Sequence, residues 1–187
     1  MSPCSTASPA RLAFDAGQLE FETLSPEHQR HKTSLFQLIN ILTEEQDLPL
    51  RCFGSMTPKR EDLAKGFEPD ACFYIQNEAR VAGMGRFDPA IHLTPHLVVE
   101  VDVTHRSIDR RAICAAMDVP EFWRFDGREI RFFAIMADGN YRRVERSPGF
   151  PTIPADDLAR YDRRDEQAED NRRKRGFRLW VRSRLEH

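Results

Sequence analysis

Cysteine is scarce in this sequence, and its four cysteines, Cys4, Cys52, Cys72 and Cys114, form no CxxC pair. This scatter argues against a zinc ribbon and against a disulfide framework, and it fits a reducing compartment. Long apolar runs are missing too, since no segment approaches the ~18 apolar residues of a membrane span. The N-terminal residues also lack the apolar core of a secretory signal. We therefore expect a cytoplasmic protein with no membrane segment.

A strong charge bias and the glycine-rich nucleotide motifs are also absent. The formal net charge is −2 over 187 residues, so the protein as a whole is not a general binder of polyanions. No GxGxxG or P-loop pattern occurs, which argues against dinucleotide or nucleoside triphosphate binding. Hydrophobic residues make up 40% of the chain, which is enough for one domain with a substantial core.

The first helix has the clearest local signal. Ser25 and Pro26 are typical of the N-cap and first helical positions, and Asp47 with Pro49 predicts the end. The apolar residues between them follow helical spacing: Leu35, Leu38, Ile39 and Leu42. His28 and His31 lie one turn apart near the start of this helix, and we expect an exposed pair rather than a metal site, since no third ligand is evident.

The remaining pattern predicts an α/β fold with a mixed sheet. Three strands follow the first helix, at 48–54, 71–76 and 97–103, and a helix capped by Ser107 runs to about Met117. Asp126-Gly127 then predicts a hairpin within a β-meander. We expect a poorly ordered segment over 1–23, the main domain over 24–170 and a docked basic helix over 171–185. Residues 185–187 resemble the start of a vector-encoded tag.

Two carboxylates interrupt an otherwise apolar strand in the stretch "PHLVVEVDVTHRS". Glu100 and Asp102 are two residues apart, so they point to the same face of the strand. Asp70 follows Pro69 at the entrance of the preceding strand. If the two strands pair, three acids converge, and a hard divalent cation such as Mg²⁺ would offset their repulsion. Such a site can hydrolyse phosphodiester bonds.

A second interpretation needs no ligand. Glu100 and Asp102 would then form the solvated face of an edge strand, and Asp70 would be a turn residue. The alternating pattern alone favours this interpretation. Val98 weighs against it, because this apolar residue shares a face with both acids.

Three blocks of the sequence resemble the Uma-type putative restriction endonuclease family, a branch of the PD-(D/E)XK nuclease superfamily. The blocks are "GFEPDACFYIQNE", "PHLVVEVDVTHRSIDRR" and "DVPEFWRFDG", and the resemblance runs from about Ser25 to Leu185. It implies a restriction-endonuclease-like core, a mixed central sheet flanked by helices. It also implies hydrolysis of DNA with Mg²⁺ or Mn²⁺. A homodimer is a further expectation, because dimers are common among restriction-type nucleases.

The resemblance assigns roles to the acids. Asp70 matches the aspartate of the family's Pro-Asp motif, and Glu100 matches the acid of its central strand. Asp102 stands where the superfamily usually has its lysine, and this branch commonly has Asp there. The resemblance therefore implies that Asp70 and Glu100 hold the metal and that Asp102 assists.

The branch's usual lysine is replaced in this chain. In the family it lies on the following helix in an "SxDK" pattern, which reads "SIDR" here and places Arg110 at the lysine position. Cys114 replaces the branch's tyrosine one turn later, and Pro95-His96 replaces a second Pro-Asp. Arginine keeps the charge and can clamp a phosphate, but it cannot act as a base. The chain is then either an active nuclease or a catalytically impaired nuclease fold that binds nucleic acid or another partner.

Basic residues elsewhere offer further contacts to DNA. Seven lie within Asn171–Arg184 with no acid among them, which predicts salt-dependent binding. The alternative is a helix docked through Phe177, Trp180 and Val181 with its arginines solvated or paired. Lys59, Arg60 and Lys65 precede Asp70 and could line the same cleft.

Overall fold

The structure is a computed structural model that describes residues 10–15, 17–23, 25–53, 59–60, 65–81, 94–103, 108–163 and 169–186. Its elements in chain order are β1 (Ala10–Asp15), β2 (Gln18–Thr23), α1 (Pro26–Glu45), β3 (Arg51–Cys52), β4 (Lys59–Arg60), β5 (Lys65–Phe67), β6 (Ala71–Tyr74), α2 (Glu78–Val81), β7 (Leu97–Val101), α3 (Arg110–Ala116), β8 (Glu121–Phe125), β9 (Ile130–Ile135), β10 (Tyr141–Val144), α4 (Ala155–Arg163) and α5 (Asp170–Leu185).

The central layer is a six-stranded mixed sheet with the order β10-β9-β8-β7-β6-β3. Strands β7 and β8 are parallel, and the other neighbours are antiparallel. A parallel pair needs a crossover connection, and α3 lies within it. This mixed sheet flanked by helices confirms the predicted fold class.

The sheet separates two apolar clusters. One cluster joins the sheet to α1, α4 and α5 through residues such as Leu38, Phe73 and Phe177. The other joins it to α3 through Val98, Ile113 and neighbouring residues. Since successive strand residues point to opposite faces, Val99 and Val101 enter the first cluster, whereas Val98 enters the second. Glu100 therefore lies on the α3 side of the sheet.

The local signals for α1 are confirmed. Ser25 caps the helix by accepting a hydrogen bond from the backbone N–H of His28 at 3.1 Å, and Pro26 is its first residue. The histidine prediction is wrong, because His28 and His31 are both buried. The Nδ1 atom of His31 lies at hydrogen-bond distance, 2.6 Å, from the Asp162 carboxylate of α4, and His28 contacts a second acid that is described below.

A hairpin of two strands lies within the N-terminal segment for which the sequence predicts poor order. Strands β1 and β2 pair over six residues each. They belong to a second sheet with the order β2-β1-β5-β4. Ala13 of β1 packs in the cluster on the α3 side, so the hairpin is anchored on the main sheet. Residues 1–9 lie outside the described residues.

The start of α3 also differs from the prediction. Its N-cap is Asp109, whose side chain accepts from the backbone N–H of Arg111 at 3.0 Å. Ser107, the predicted cap, lies outside the described residues. Since an aspartate caps a helix as well as a serine does, the sequence "SIDRR" offers two candidate starts, and local pattern does not choose between them.

The solvated-edge interpretation of the acidic strand is wrong for Glu100. Strand β7 has β6 on one side and β8 on the other, so it is an interior strand. Glu100 is only 1% exposed. A buried carboxylate is costly unless polar or charged partners compensate it, so the neighbours of Glu100 matter for function.

Helix α5 is docked on the domain. Phe177 and Val181 are buried, and Trp180 is half-buried against them. Arg178 and Arg182 bond to Glu45 at the end of α1. Apolar docking and charge pairing are therefore combined on one helix. Within the ranges that the structure describes, no helix is long and apolar enough to cross a membrane.

Candidate functional site

The antiparallel pairing of β6 and β7 brings Asp70 and Glu100 together. Ala71 pairs with Val99, and one further step along this register places Asp70 opposite Glu100. The backbone N–H of Asp70 donates to Glu100 Oε1 at 2.9 Å, and the N–H of Val101 donates to Asp70 Oδ2 at 2.9 Å. The predicted proximity of these two acids is confirmed by these contacts.

Two side chains from the N-terminal half of the chain hold the Asp70 carboxylate. Arg11 of β1 donates to Oδ1, and the Nε2 atom of His28 lies 3.2 Å from the carboxylate. Asp70, Arg11 and His28 are all almost fully buried. Burial alone would raise the pKa of Asp70, but the hydrogen bonds from His28 and Arg11 outweigh it and hold that pKa well below its ordinary value. These partners therefore favour the ionised form of Asp70.

Asp102 lies just beyond the end of β7. Its backbone N–H donates to the carbonyl of Phe125 at 2.7 Å, which continues the pairing with β8. Its carboxylate accepts a hydrogen bond from Arg124 of β8. Arg124 stands opposite Glu100 in the β7–β8 register, so the neighbouring strand places a cation beside both acids.

Arg110 is buried at the start of α3 and bonds to the N-terminal hairpin. Its Nη2 atom donates to Oε1 of Glu20 at 3.0 Å, and the other oxygen of Glu20 accepts from the backbone N–H of Ile108 at 3.2 Å. Glu20 lies on β2, so the hairpin supplies an anion to Arg110 as well as a cation to Asp70. Both contacts depend on the same hairpin.

A cavity of about 170 Å³ lies where β7, β8 and the start of α3 meet. Its charged lining residues carry both signs: Glu100, Asp102, Asp109, Arg110, Arg111 and Arg124. Three of the four predicted site residues thus share one cavity. The fourth, Asp70, adjoins it through its hydrogen bond to Glu100.

The oxygen donors of Glu100 and Asp102 suit a hydrated Mg²⁺ or Mn²⁺. Mg²⁺ is commonly held by one or two carboxylates and keeps several waters or takes phosphate oxygens. In the described part of the chain, no group of three or more His, Cys, Asp or Glu side chains is arranged to hold a metal ion. Asp70 is instead engaged by Arg11 and His28. Glu100 and Asp102 therefore suit a cation that has few protein ligands and keeps most of its waters.

Sequence reasoning missed Arg11, Glu20, His28 and Arg124 as parts of this site. A signal for the hairpin exists, since Asp15-Ala16-Gly17 separates two stretches in which apolar and other residues alternate. Gly17 has a φ of 88°, a conformation that favours glycine. No local signal indicates that Arg11 would meet Asp70, because 59 residues separate them.

The side chains of Lys59, Arg60 and Lys65, which the sequence suggests as residues lining the same cleft, are not among those that the structure describes. His96 is half-buried, and its Nδ1 accepts a 3.3 Å hydrogen bond from the backbone N–H of Ile75. Burial lowers its pKa. His96 therefore binds the backbone just after the end of β6.

Comparison with known proteins gives a family and a fold. The model of the Uma2 family, described as "Putative restriction endonuclease", matches residues 4–163. This region starts earlier than the predicted resemblance, so it includes the hairpin, and it ends before α5. Curated proteins give no match. A solved structure, described as a putative nuclease belonging to DUF820 from Anabaena variabilis ATCC 29413, is similar with a TM-score of 0.56 and 12% identity. The similarity covers 79% of this chain and 89% of that one.

Proposed function

The chain belongs to the Uma2 family, described as putative restriction endonucleases, and on this basis we propose that it is a metal-dependent endonuclease that hydrolyses phosphodiester bonds in DNA. The observation that carries the proposal is the contact of Asp70 with Glu100 beside a cavity that Asp102 and Arg110 also approach. Acidic oxygens and an arginine at one cavity are the groups that phosphoryl chemistry requires.

Each site residue has a proposed task. Glu100 and Asp102 would hold Mg²⁺ or Mn²⁺ beside the cavity, and Asp70, which Arg11 and His28 engage, would orient Glu100 through its backbone hydrogen bond. A divalent cation bound there would supply Lewis-acid chemistry, polarisation of a phosphoryl oxygen and a lower pKa for a bound water. Arg110 presents N–H donors to the scissile phosphate and stabilises its charge. Because an arginine is not deprotonated in proteins, Arg110 positions the phosphate and does not accept a proton.

A second candidate function is nucleic-acid binding without cleavage. The observation that favours it is the pairing of acids with the chain's own arginines, Asp70 with Arg11 and Asp102 with Arg124. In that case these arginines would replace the metal as the compensating charge. This candidate predicts salt-sensitive DNA binding and no cleavage with any divalent cation.

Cleavage of plasmid DNA tests the proposed function. We expect wild-type protein to nick supercoiled plasmid with Mg²⁺ or Mn²⁺, and not with EDTA. Glu100→Gln should reduce nicking to the EDTA level, because it removes a charged oxygen donor at nearly constant volume. Glu145→Gln is the matched control, since Glu145 is exposed and follows β10. Metal-independent nicking, or full activity in Glu100→Gln, would contradict the proposal.

Metal binding should also stabilise the folded chain. A ligand that binds only the folded state adds about 2.7 kcal/mol at a free concentration about 100 times its Kd. We expect Mg²⁺ to raise the Tm of the wild type and of Glu145→Gln, but not of Glu100→Gln. Thermal unfolding monitored by circular dichroism across a Mg²⁺ series measures this. An equal rise in Glu100→Gln would place the cation elsewhere.

A further inference from the structure

Arg124 lies in the cavity, but the proposed function gives it no task. It stands on β8 opposite Glu100 of β7, and its Nη2 atom donates to Oδ2 of Asp102. Both of these acids line the cavity together with Arg124. The guanidinium group of Arg124 therefore binds one of the two carboxylates that would hold the cation.

The Arg124 side chain is able to exchange its partner. It is 35% exposed, whereas Arg11 and Arg110 are 2% and 4% exposed. A partly exposed ion pair contributes little to stability, because water solvates the charges when they separate. The Nε atom of Arg124 is buried, and no atom of the described residues accepts a hydrogen bond from it. Arg124 thus has donors for a further acceptor, and moving its side chain leaves the backbone of β8 in place.

The charged side chains that line the cavity balance each other. Three are acidic and three are basic: Glu100, Asp102, Asp109, Arg110, Arg111 and Arg124. Because their formal charges cancel, a divalent cation alone leaves an excess of positive charge at the cavity, and a DNA phosphate alone leaves an excess of negative charge. Each ligand reduces the excess that the other creates. Binding of the two ligands is therefore coupled, and this coupling acts equally in both directions.

We propose that Arg124 makes binding of the cation depend on DNA. Without DNA, its guanidinium group compensates Asp102 and competes with Mg²⁺ or Mn²⁺ for that carboxylate. When DNA enters the cavity, a phosphate oxygen accepts from Arg124 instead, since the donors of arginine match phosphate as well as carboxylate oxygens. Asp102 is then available to the cation. The proposal rests on the proposed function, because that function supplies both ligands.

Calorimetric titration with MgCl₂ in the absence of DNA tests the competition. Arg124→Met removes the competing charge and keeps much of the aliphatic stem, so it should bind Mg²⁺ about tenfold more tightly than the wild type. Arg124→Lys retains a cation and should bind Mg²⁺ more weakly than Arg124→Met does. Arg142→Met is the matched control, since Arg142 is exposed in its pair with Asp138, and it should bind like the wild type. Equal or weaker binding by Arg124→Met would overturn the proposal, because an arginine that only orients Asp102 would assist the cation.

DNA binding in EDTA tests the contact with phosphate. Arg124→Met should bind a fluorescein-labelled duplex about three- to tenfold more weakly than the wild type, and its salt dependence should decrease by about one phosphate contact. Fluorescence anisotropy across a NaCl series measures both quantities. Arg142→Met should match the wild type, and all variants should keep the wild-type Tm within a few degrees. An unchanged DNA affinity in Arg124→Met would overturn the exchange of partners.

These two measurements distinguish failure of this proposal from failure of the proposed function, because neither depends on cleavage. If the wild type nicks plasmid but Arg124→Met shows neither change in affinity, the role of Arg124 is wrong and the proposed function stands. If the wild type does not nick plasmid but Arg124→Met binds Mg²⁺ more tightly and DNA more weakly, the proposed function is wrong and the role of Arg124 stands.

Discussion

Replacing Arg11 by methionine is expected to lower the free energy of unfolding by about 3–5 kcal/mol at pH 7. Arg11 and Asp70 are 2% and 1% exposed, so the substitution leaves a buried carboxylate without its arginine. Methionine retains much of the aliphatic stem, which keeps the loss of packing small. Urea denaturation followed by circular dichroism measures the change. Arg142→Met is the control, because Arg142 is exposed in its pair with Asp138, and surface pairs contribute about 0–1 kcal/mol.

The pH dependence gives the same prediction an independent check. The pKa of Asp70 lies below its ordinary value in the folded chain, so the stability it contributes is present above pH ~4 and is lost as the pH falls further. In Arg11→Met, burial of Asp70 is opposed by fewer partners, and its pKa rises. The loss of stability in acid should therefore be smaller in the variant than in the wild type.

A double-mutant cycle identifies the pair itself. Asp70→Asn combined with Arg11→Met removes both charges, and we expect it to be more stable than the sum of the single changes predicts. An additive result, or a single-variant cost below ~1 kcal/mol, would show that Arg11 and Asp70 do not depend on each other. The N-terminal hairpin would then contribute to the fold but not to the proposed site.

Phe177→Ala is expected to have a comparable effect, about 3–5 kcal/mol, through loss of packing. Phe177 is fully buried, and its ring lies 4.9 Å from that of Tyr161 on α4. Its removal opens a space among α1, α4 and α5. Leu179→Ala is the control on the same helix, because Leu179 is 67% exposed and should change stability by less than ~0.5 kcal/mol.

High salt separates apolar docking of α5 from its ion pairs. Arg178 and Arg182 face Glu44 and Glu45 at the surface, and salt screens such contacts. Adding salt should therefore reduce stability much less than Phe177→Ala does. A larger effect of salt, or of Leu179→Ala, would contradict docking through Phe177. Arg178 and Arg182 of α5 are thus already paired with α1. Contact of α5 with DNA is a proposal that the salt dependence of binding can test.

The local sequence determined the elements whose signals are contained within a few residues. The cap at Ser25 and the apolar spacing after it predict α1, and Asp126-Gly127 predicts the β8–β9 turn, where Gly127 has a φ of 87°. For Asp70 and Glu100, by contrast, the sequence predicts a meeting only if their two strands pair, and the β6–β7 pairing in the structure meets that condition. The predictions of α1 and of the β8–β9 turn hold because helix periodicity and turn chemistry depend on neighbours along the chain.

Only the tertiary structure decided which charges the acids meet. Arg11 pairs with Asp70 across 59 residues, and Glu20 pairs with Arg110 across 90 residues. Burial of His28 and Glu100 likewise depends on how α1 and the hairpin pack and on β7 being an interior strand. The position of a charged residue in the sequence does not identify its partner, because ion pairs form wherever the folded backbone brings opposite charges together. The sequence by itself thus indicated Asp70, Glu100 and Asp102 as the acids of the proposed site, whereas packing of the N-terminal hairpin and α1 decided which cations lie beside Asp70.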